Sequence, residues 1–115
     1  MENCIFCQII SGKIPTGFVY KDEKLVVFVD IKPSAPVHIL IVPKKHIEKL
    51  QTVSDNEKDL LGQMLLVAQK IAESEKIAKS GYKVCINCGE EAGQIVPHLH
   101  IHLLGGWETE GRCSC

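Results

Sequence analysis

The chain has 115 residues, 45% of them hydrophobic, with 13 basic residues against 14 acidic ones and a net charge of -1. This length suits a single domain over residues 1–115, and the balanced charge provides no broad positive field for nucleic acid or an anionic membrane. No apolar segment reaches the roughly 20 residues that span a bilayer, and the first residues lack a signal-peptide pattern. We therefore expect a cytoplasmic protein that binds neither nucleic acid nor membrane.

The first part of the chain predicts a short helix followed by three strands. Cys4–Ile10 places apolar side chains on one helical face, and Gly12 marks its end. Two β-branched and aromatic runs, Gly17–Lys21 and Leu25–Val29, flank a three-residue polar connection and predict a hairpin. After a proline-containing turn, Val37–Val42 predicts a buried central strand.

The second part predicts one long helix and two further strands. Ser54 and Glu57 form a capping-box pattern ahead of an apolar stripe that ends near Gly81. Tyr82–Asn87 and His98–Leu104 predict strands joined by a polar, glycine-containing loop. Strands joined by short turns, with a single long helical connection, favour an antiparallel sheet in an α+β domain.

Three histidines alternate with apolar residues in the last predicted strand. A period of two places His98, His100 and His102 on one face, with neighbours about 7 Å apart. Imidazole changes charge near neutral pH and can act as a base, an acid, a nucleophile or a metal ligand. The histidine face is therefore the predicted functional site.

These residues resemble the histidine triad family. The run from His98 to Leu104 matches its His-x-His-x-His motif followed by two apolar residues, and Asp30–Ile47 resembles the family's other block. The chain is most similar to the Hint-type nucleoside phosphoramidases, including the segments Pro43–His46 and Gly93–Pro97. The resemblance implies a five-stranded antiparallel sheet with one long and one short helix, a sheet-extended homodimer, and hydrolysis or transfer at the α-phosphate of a purine nucleotide.

The resemblance also implies catalytic roles. It places the nucleophile at His100, where a neutral imidazole nitrogen can form a covalent intermediate that divides one displacement into two. A backbone carbonyl of the triad strand holds the other ring nitrogen of His100. His102 contacts the phosphate or the leaving group, and His38 lies against the nucleophile and the departing group.

Further positions match the family's nucleotide-binding residues. Asp30 provides a carboxylate for the vicinal ribose hydroxyls. A glycine-containing backbone brings amide hydrogens to phosphate oxygens. This phosphate loop comprises Gly93, Gln94, Ile95 and Val96, and the family positions that touch the phosphate or the leaving group are Asn87 and Gln94. The base wall comprises Ile5, Phe6, Ile9, Phe28 and Ile31, each of which equally fits an ordinary core position. Ile95 replaces a serine common in the family, which removes a hydroxyl near the leaving group.

Cysteine pairs in a reducing compartment indicate metal binding or free thiols rather than disulfides. Cys4 and Cys7 have metal-chelating spacing, and the resemblance implies that His46 and His98 complete a four-ligand zinc site. Four protein ligands leave no open position, so one structural zinc per chain is expected. Cys113 and Cys115 form a terminal Cys-x-Cys pair, for which a second metal site or a redox role stays open as the alternative to no function.

Other function classes remain open. A catalytic-metal hydrolase could use His98, His100 and His38 as a three-histidine zinc site. A nucleotide-binding regulatory module with weak turnover is a second possibility. Within the family, the diadenosine polyphosphate hydrolases are the nearest enzymatic alternative, while the pair formed by Cys4 and Cys7 favours the Hint-like branch.

Overall fold

The computed structural model describes residues 3–108. Its strands form one antiparallel sheet. Its spatial order places the fifth strand in chain order between the third and the fourth, and every neighbouring pair is antiparallel. The predicted α+β class and the five-stranded sheet are confirmed. The strands are β1 (Phe18–Lys21), β2 (Leu25–Val29), β3 (Val37–Pro43), β4 (Tyr82–Cys85) and β5 (Ile101–Gly105).

Two α-helices pack on opposite faces of the sheet. The short helix α1 (Ile5–Ile10) begins after Cys4, and the long helix α2 (Lys58–Ser74) follows two 3-10 turns at Leu50–Thr52 and Asp55–Glu57. A third 3-10 turn lies between β4 and β5. Within residues 3–108, no helix has the length and apolar character to cross a membrane.

Alternating side chains along the central strands divide the core in two. Residues such as Val27 and Ile41 pack with α2, while Val26 and Leu40 pack with α1. Because helices cover both faces of these strands, β2 and β3 are nearly continuous apolar runs instead of alternating ones. The side chains of the α1 face surround the histidine cluster.

The helix α2 ends earlier than predicted. It stops at Ser74 because Lys76 adopts φ +62°, and Ile77 N–H donates to Ala72 O at 3.0 Å. This hydrogen-bond pattern is the common left-handed helix end, formed here by a lysine instead of the glycine that we expected near position 81. The buried Ile77 side chain joins the α2 core and holds this turn.

The strand β5 is also shorter than predicted and begins at Ile101. Its pairing with β3 stops there, so His98 and His100 precede the strand. The two chain segments separate at this point, and they meet again where Leu99 N–H donates to Ile47 O at 2.6 Å. Alternation nevertheless persists, because Leu99 enters the α2 core while the flanking histidines face the other side. The predicted extension of β4 to Asn87 is likewise wrong, since β4 ends at Cys85.

The predicted capping box is confirmed and anchors the segment after β3. Ser54 N–H donates to Glu57 Oε1 at 2.7 Å, and Lys45 Nζ lies 2.7 Å from Glu57 Oε2. These two bonds, with Lys45 the larger cause, lower the pKa of Glu57 to about 2. The ion pair connects Lys45, the neighbour of His46, to the start of the long helix.

The contact between Gly105 and Ile77 generates a stability prediction. A Cβ at Gly105 would lie 2.7 Å from Ile77 Cδ1 and 3.2 Å from Ile77 Cβ. We expect Gly105→Ala to reduce the free energy of unfolding by about 1–3 kcal/mol through overpacking, as measured by urea denaturation. The control Gly62→Ala adds a methyl to an exposed helical position with open space, and should raise stability by about 0.5–1 kcal/mol. A neutral Gly105→Ala would contradict this packing account.

Candidate functional site

His100 lies at the centre of the histidine face with its ring orientation fixed. Its Nδ1–H donates to the carbonyl oxygen of His98 at 2.6 Å, so a neutral ring has an unprotonated Nε2. The predicted backbone carbonyl contact is therefore present. Burial lowers the pKa of His100 despite the opposing effect of this hydrogen bond, so the ring is neutral near pH 7.

Phe6 from α1 forms the apolar wall behind the histidines. Its ring contacts His100 edge-on at a centroid distance of 5.0 Å, and it contacts His98 at 5.8 Å and Phe28 at 5.7 Å. Of the predicted base wall, the buried members are Phe6, Ile9 and Phe28. The other two are open to solvent, with Ile5 44% exposed and Ile31 89% exposed.

His38 and His102 form a pair of contacting histidines beside His100. Ser34 N–H donates to His38 Nδ1 at 3.0 Å, so a neutral His38 carries its proton on Nε2. This Nε2 lies 2.9 Å from His102 Nδ1 and 3.5 Å from Asp30 Oδ2. His102 Nδ1 thus accepts a hydrogen bond, and the proton of neutral His102 sits on Nε2.

His102 is held in its neutral form. Burial, followed by the charges of His100 and His38, lowers its pKa to about 4, although Asp30 acts in the opposite direction. The rings of His100 and His102 are 4.8 Å apart. Near pH 7, the site therefore presents a free ring nitrogen on His100 next to an N–H donor on His102.

Cys4, which caps α1, and Cys7 within α1 meet two histidines on the same side of the sheet. The four ligand atoms of Cys4, Cys7, His46 and His98 lie within 4.8 Å of one another. His98 Nε2–H donates to the carbonyl of Pro43 at 2.8 Å, which leaves its Nδ1 lone pair facing the group. This Nδ1 is 3.3 Å from Cys4 Sγ and 3.2 Å from His46 Nδ1.

Four of the distances between ligand atoms in this cluster are close to those of a tetrahedral metal site. Sulfur and nitrogen ligands at about 2.3 Å and 2.0 Å from zinc lie about 3.3–3.8 Å from one another. Cys7 Sγ is 3.3 Å from His46 Nδ1 and 3.7 Å from His98 Nδ1. Burial and the adjacent Cys4 raise the pKa of the Cys7 thiol, and a bound cation would reverse this effect. The donor set fits zinc.

The rival three-histidine metal site is not formed. Within residues 3–108, potential metal ligands come together in two groups. His98 lies in the group with the two cysteines, and His38 lies in the group with Asp30 and His102. The second of these groups is itself a poor metal site, because His38 Nδ1 already accepts the Ser34 N–H and its proton occupies Nε2. The hydrogen bonds of His38 therefore explain why these three side chains lie close together without a metal ion.

The predicted phosphate loop is held by its own hydrogen bonds. Asn87 Nδ2 donates to Ala92 O at 2.7 Å, and the amides of Gly93 and Gln94 donate to carbonyls of the preceding residues 89 and 90. In the described part of the chain, Ile95 N–H and Val96 N–H donate to no other group. The side chain of Ile95 is 91% exposed. The loop therefore offers two adjacent, unused N–H donors.

Sequence reasoning missed two of the backbone groups that orient the histidines. Ser34 N–H and Pro43 O, together with the carbonyl of His98 that the resemblance implied, set the ring tautomers. No sequence signal could identify the first two, because every residue carries a carbonyl and every residue except proline carries an N–H. The terminal pair formed by Cys113 and Cys115 lies outside the described residues.

Fold and site together define a small α+β protein in which histidines and cysteines converge on one face of a five-stranded antiparallel sheet. A sequence model of the HIT domain matches residues 11–109. The chain is 47% identical over 105 residues to the purine nucleoside phosphoramidase of Escherichia coli strain K12, covering 91% of this chain and 88% of that protein. This chain belongs to the HIT domain family.

Solved structures agree with this assignment. A HIT family hydrolase from Clostridium thermocellum superposes with a TM-score of 0.92 at 43% identity, covering 97% of each chain. A histidine triad protein from Clostridium difficile gives a TM-score of 0.90 at 41% identity, covering 96% of each chain.

The cysteine and histidine cluster generates a metal-binding prediction. We expect one metal ion per chain in protein purified without chelator, measured by inductively coupled plasma mass spectrometry. Cys7→Ser should reduce the content below about one tenth, because a thiolate supplies part of the binding energy. Cys88→Ser, which alters a cysteine outside the cluster, should retain the ion. Equal metal content in both variants would show that the ion binds elsewhere.

Proposed function

We propose that this protein hydrolyses purine nucleoside phosphoramidates at the α-phosphate through a nucleotidyl intermediate on His100 Nε2. The observation that carries the proposal is the bond from His100 Nδ1–H to the His98 carbonyl, which leaves Nε2 unprotonated beside the N–H of His102. The name of the relative from Escherichia coli, purine nucleoside phosphoramidase, supports the same substrate class.

The proposed reaction has two displacements at phosphorus. First, the Nε2 lone pair of His100 forms a bond to phosphorus, the bond to the amine breaks, and the amine leaves with a proton drawn from the solvent. Water then attacks phosphorus, breaks the bond to His100 and returns a proton to the solvent. His102 Nε2–H donates a hydrogen bond to the phosphate or the leaving group, and His38 holds His102 in this tautomer.

The nucleotide is proposed to bind around this centre. Asp30 accepts the ribose hydroxyls, and its carboxylate lies 3.5 Å from His38 Nε2, close to the reacting groups. The unused N–H groups of Ile95 and Val96 donate to phosphate oxygens whose negative charge increases in the transition state. The exposed side chains of Ile5 and Ile31 extend the apolar wall of Phe6 and provide surface for the base.

We further propose that the metal is zinc and that its role is structural. Four protein ligands close the coordination shell, so the ion has no open position for activating water. It connects α1 to the segments that carry His46 and His98. Because thiolates must stay reduced to bind zinc, the proposal includes a reducing, cytoplasmic compartment.

The active form is proposed to be a homodimer that extends the sheet. Within the described residues, β4 is an edge strand that pairs with β5 alone, and its Val84 is 40% exposed. The edge strand of a sheet can pair with the same strand of a second copy. Analytical ultracentrifugation at micromolar concentration should show a dimer, and a monomer would exclude this assembly.

The nucleophile proposal is tested with adenosine 5′-phosphoramidate. We expect His100→Ala to lose more than about 1000-fold in kcat/KM, because the covalent route is removed. Wild-type activity should survive excess chelator, and mass spectrometry of quenched reactions should detect adenylylated His100 only in the wild type. An active His100→Ala, or loss of activity with chelator while the circular dichroism spectrum persists, would support a catalytic-metal hydrolase. Faster cleavage of diadenosine polyphosphates would favour that substrate class.

A further inference from the structure

The Gln94 side chain makes three hydrogen bonds to the backbone. Its Oε1 accepts from Gly89 N–H at 2.8 Å, while its Nε2 donates to Glu48 O at 2.8 Å and to Val96 O at 3.1 Å. The residue is 9% exposed. Both ends of the primary amide are therefore occupied by the protein itself, which leaves this side chain poorly placed to contact a phosphate.

The groups that Gln94 connects belong to three separate parts of the site. Gly89 precedes the 3-10 turn that leads into the phosphate loop, and its carbonyl also accepts the N–H groups of Ala92 and Gln94. Glu48 follows the metal-cluster residue His46 by two positions. Val96 provides one of the two unused donors and accepts the N–H of His98 at 2.8 Å. One buried amide thus bonds to the loop and to both segments beside the cluster histidines.

We propose that Gln94 is a positioning residue that fixes the N–H donors of Ile95 and Val96 relative to His100. A buried amide that satisfies three backbone groups keeps the loop in one conformation before substrate arrives. This role rests on the proposed function for its effect on the reaction. The anchoring itself is a property of the ligand-free protein and can be measured without any substrate.

The first test is amide hydrogen exchange in the ligand-free protein, comparing wild type with Gln94→Leu. The substitution removes the acceptor of Gly89 N–H and both donors. We expect protection at Gly89, Ala92 and Gly93 to fall by at least about tenfold, because local opening becomes easier. The matched control Gln63→Leu removes an amide donor to Asp22 far from the histidines and should leave this loop unchanged. Unchanged protection in Gln94→Leu would overturn the proposal, since a side chain that only contacted substrate would leave the free loop as it is.

The second test measures phosphoramidate hydrolysis. Gln94→Leu should lower kcat about 10- to 100-fold with a smaller change in KM, because displaced donors weaken transition-state contacts. Gln63→Leu should stay within about twofold of wild type.

A pH arm uses Gln94→Glu. Its carboxylate would keep the acceptor but place an oxygen against the carbonyls of Glu48 and Val96. Protonation restores one donor, so the activity of this variant relative to wild type should rise at least about fivefold between pH 8 and pH 5. The ratio for Gln94→Leu should stay flat, and a flat ratio for both variants would overturn the positioning role.

The two arms separate the inference from the proposed function. If wild type does not cleave the phosphoramidate but the loop loses protection in Gln94→Leu, the function fails and the anchoring stands. If wild type cleaves it and protection is unchanged, only the role of Gln94 fails. If Gln94→Leu does not fold, amide hydrogen exchange of Gln94→Glu is compared at pH 8 and pH 5. Only the ionised carboxylate disrupts the hydrogen bonds of residue 94, so lower protection at pH 8 supports the anchoring and equal protection overturns it.

Discussion

The hydrogen bond from His98 Nε2–H to the carbonyl of Pro43 fixes the residue on which both halves of the site depend. With its ring held there, Nδ1 points at the two cysteines and His46. The backbone of the same residue directs its carbonyl to His100 Nδ1. One histidine therefore connects the candidate metal cluster to the ring proposed to attack phosphorus.

This connection is possible because the chain segments next to the paired residues of β3 and β5 separate. Their regular pairing ends at Ile41 and Ile101, and the backbone beyond it is free to bond to side chains. Pro43 O and Glu48 O accept from His98 and Gln94 instead of from a neighbouring strand. A continuous ladder would have used these carbonyls in the sheet, so the irregular backbone is what allows side chains to be anchored here.

Local sequence signals predicted much of the fold, and they were wrong where long-range packing decides. The hairpin of β1 and β2 follows from β-branched runs around a short polar turn, and the capping box at Ser54 is formed as predicted. The predicted end of α2 was wrong because burial of Ile77 stabilises Lys76 in the left-handed backbone conformation. The prediction relied on the local preference of glycine for that conformation. The start of β5 was wrong because alternation continues into the non-strand segment at Leu99.

The sequence by itself determined which histidines share a face, since a period of two is a local property of an extended chain. It also identified the cysteine pair and, through resemblance, the histidines now found beside it. Only the tertiary structure decided which ring nitrogen of His38, His98 and His102 carries a proton, and which loop N–H groups stay unused within the described residues. Backbone carbonyls and N–H groups hold these side chains by hydrogen bonds. Because nearly every residue carries both groups, where they lie depends on the folded chain rather than on residue type.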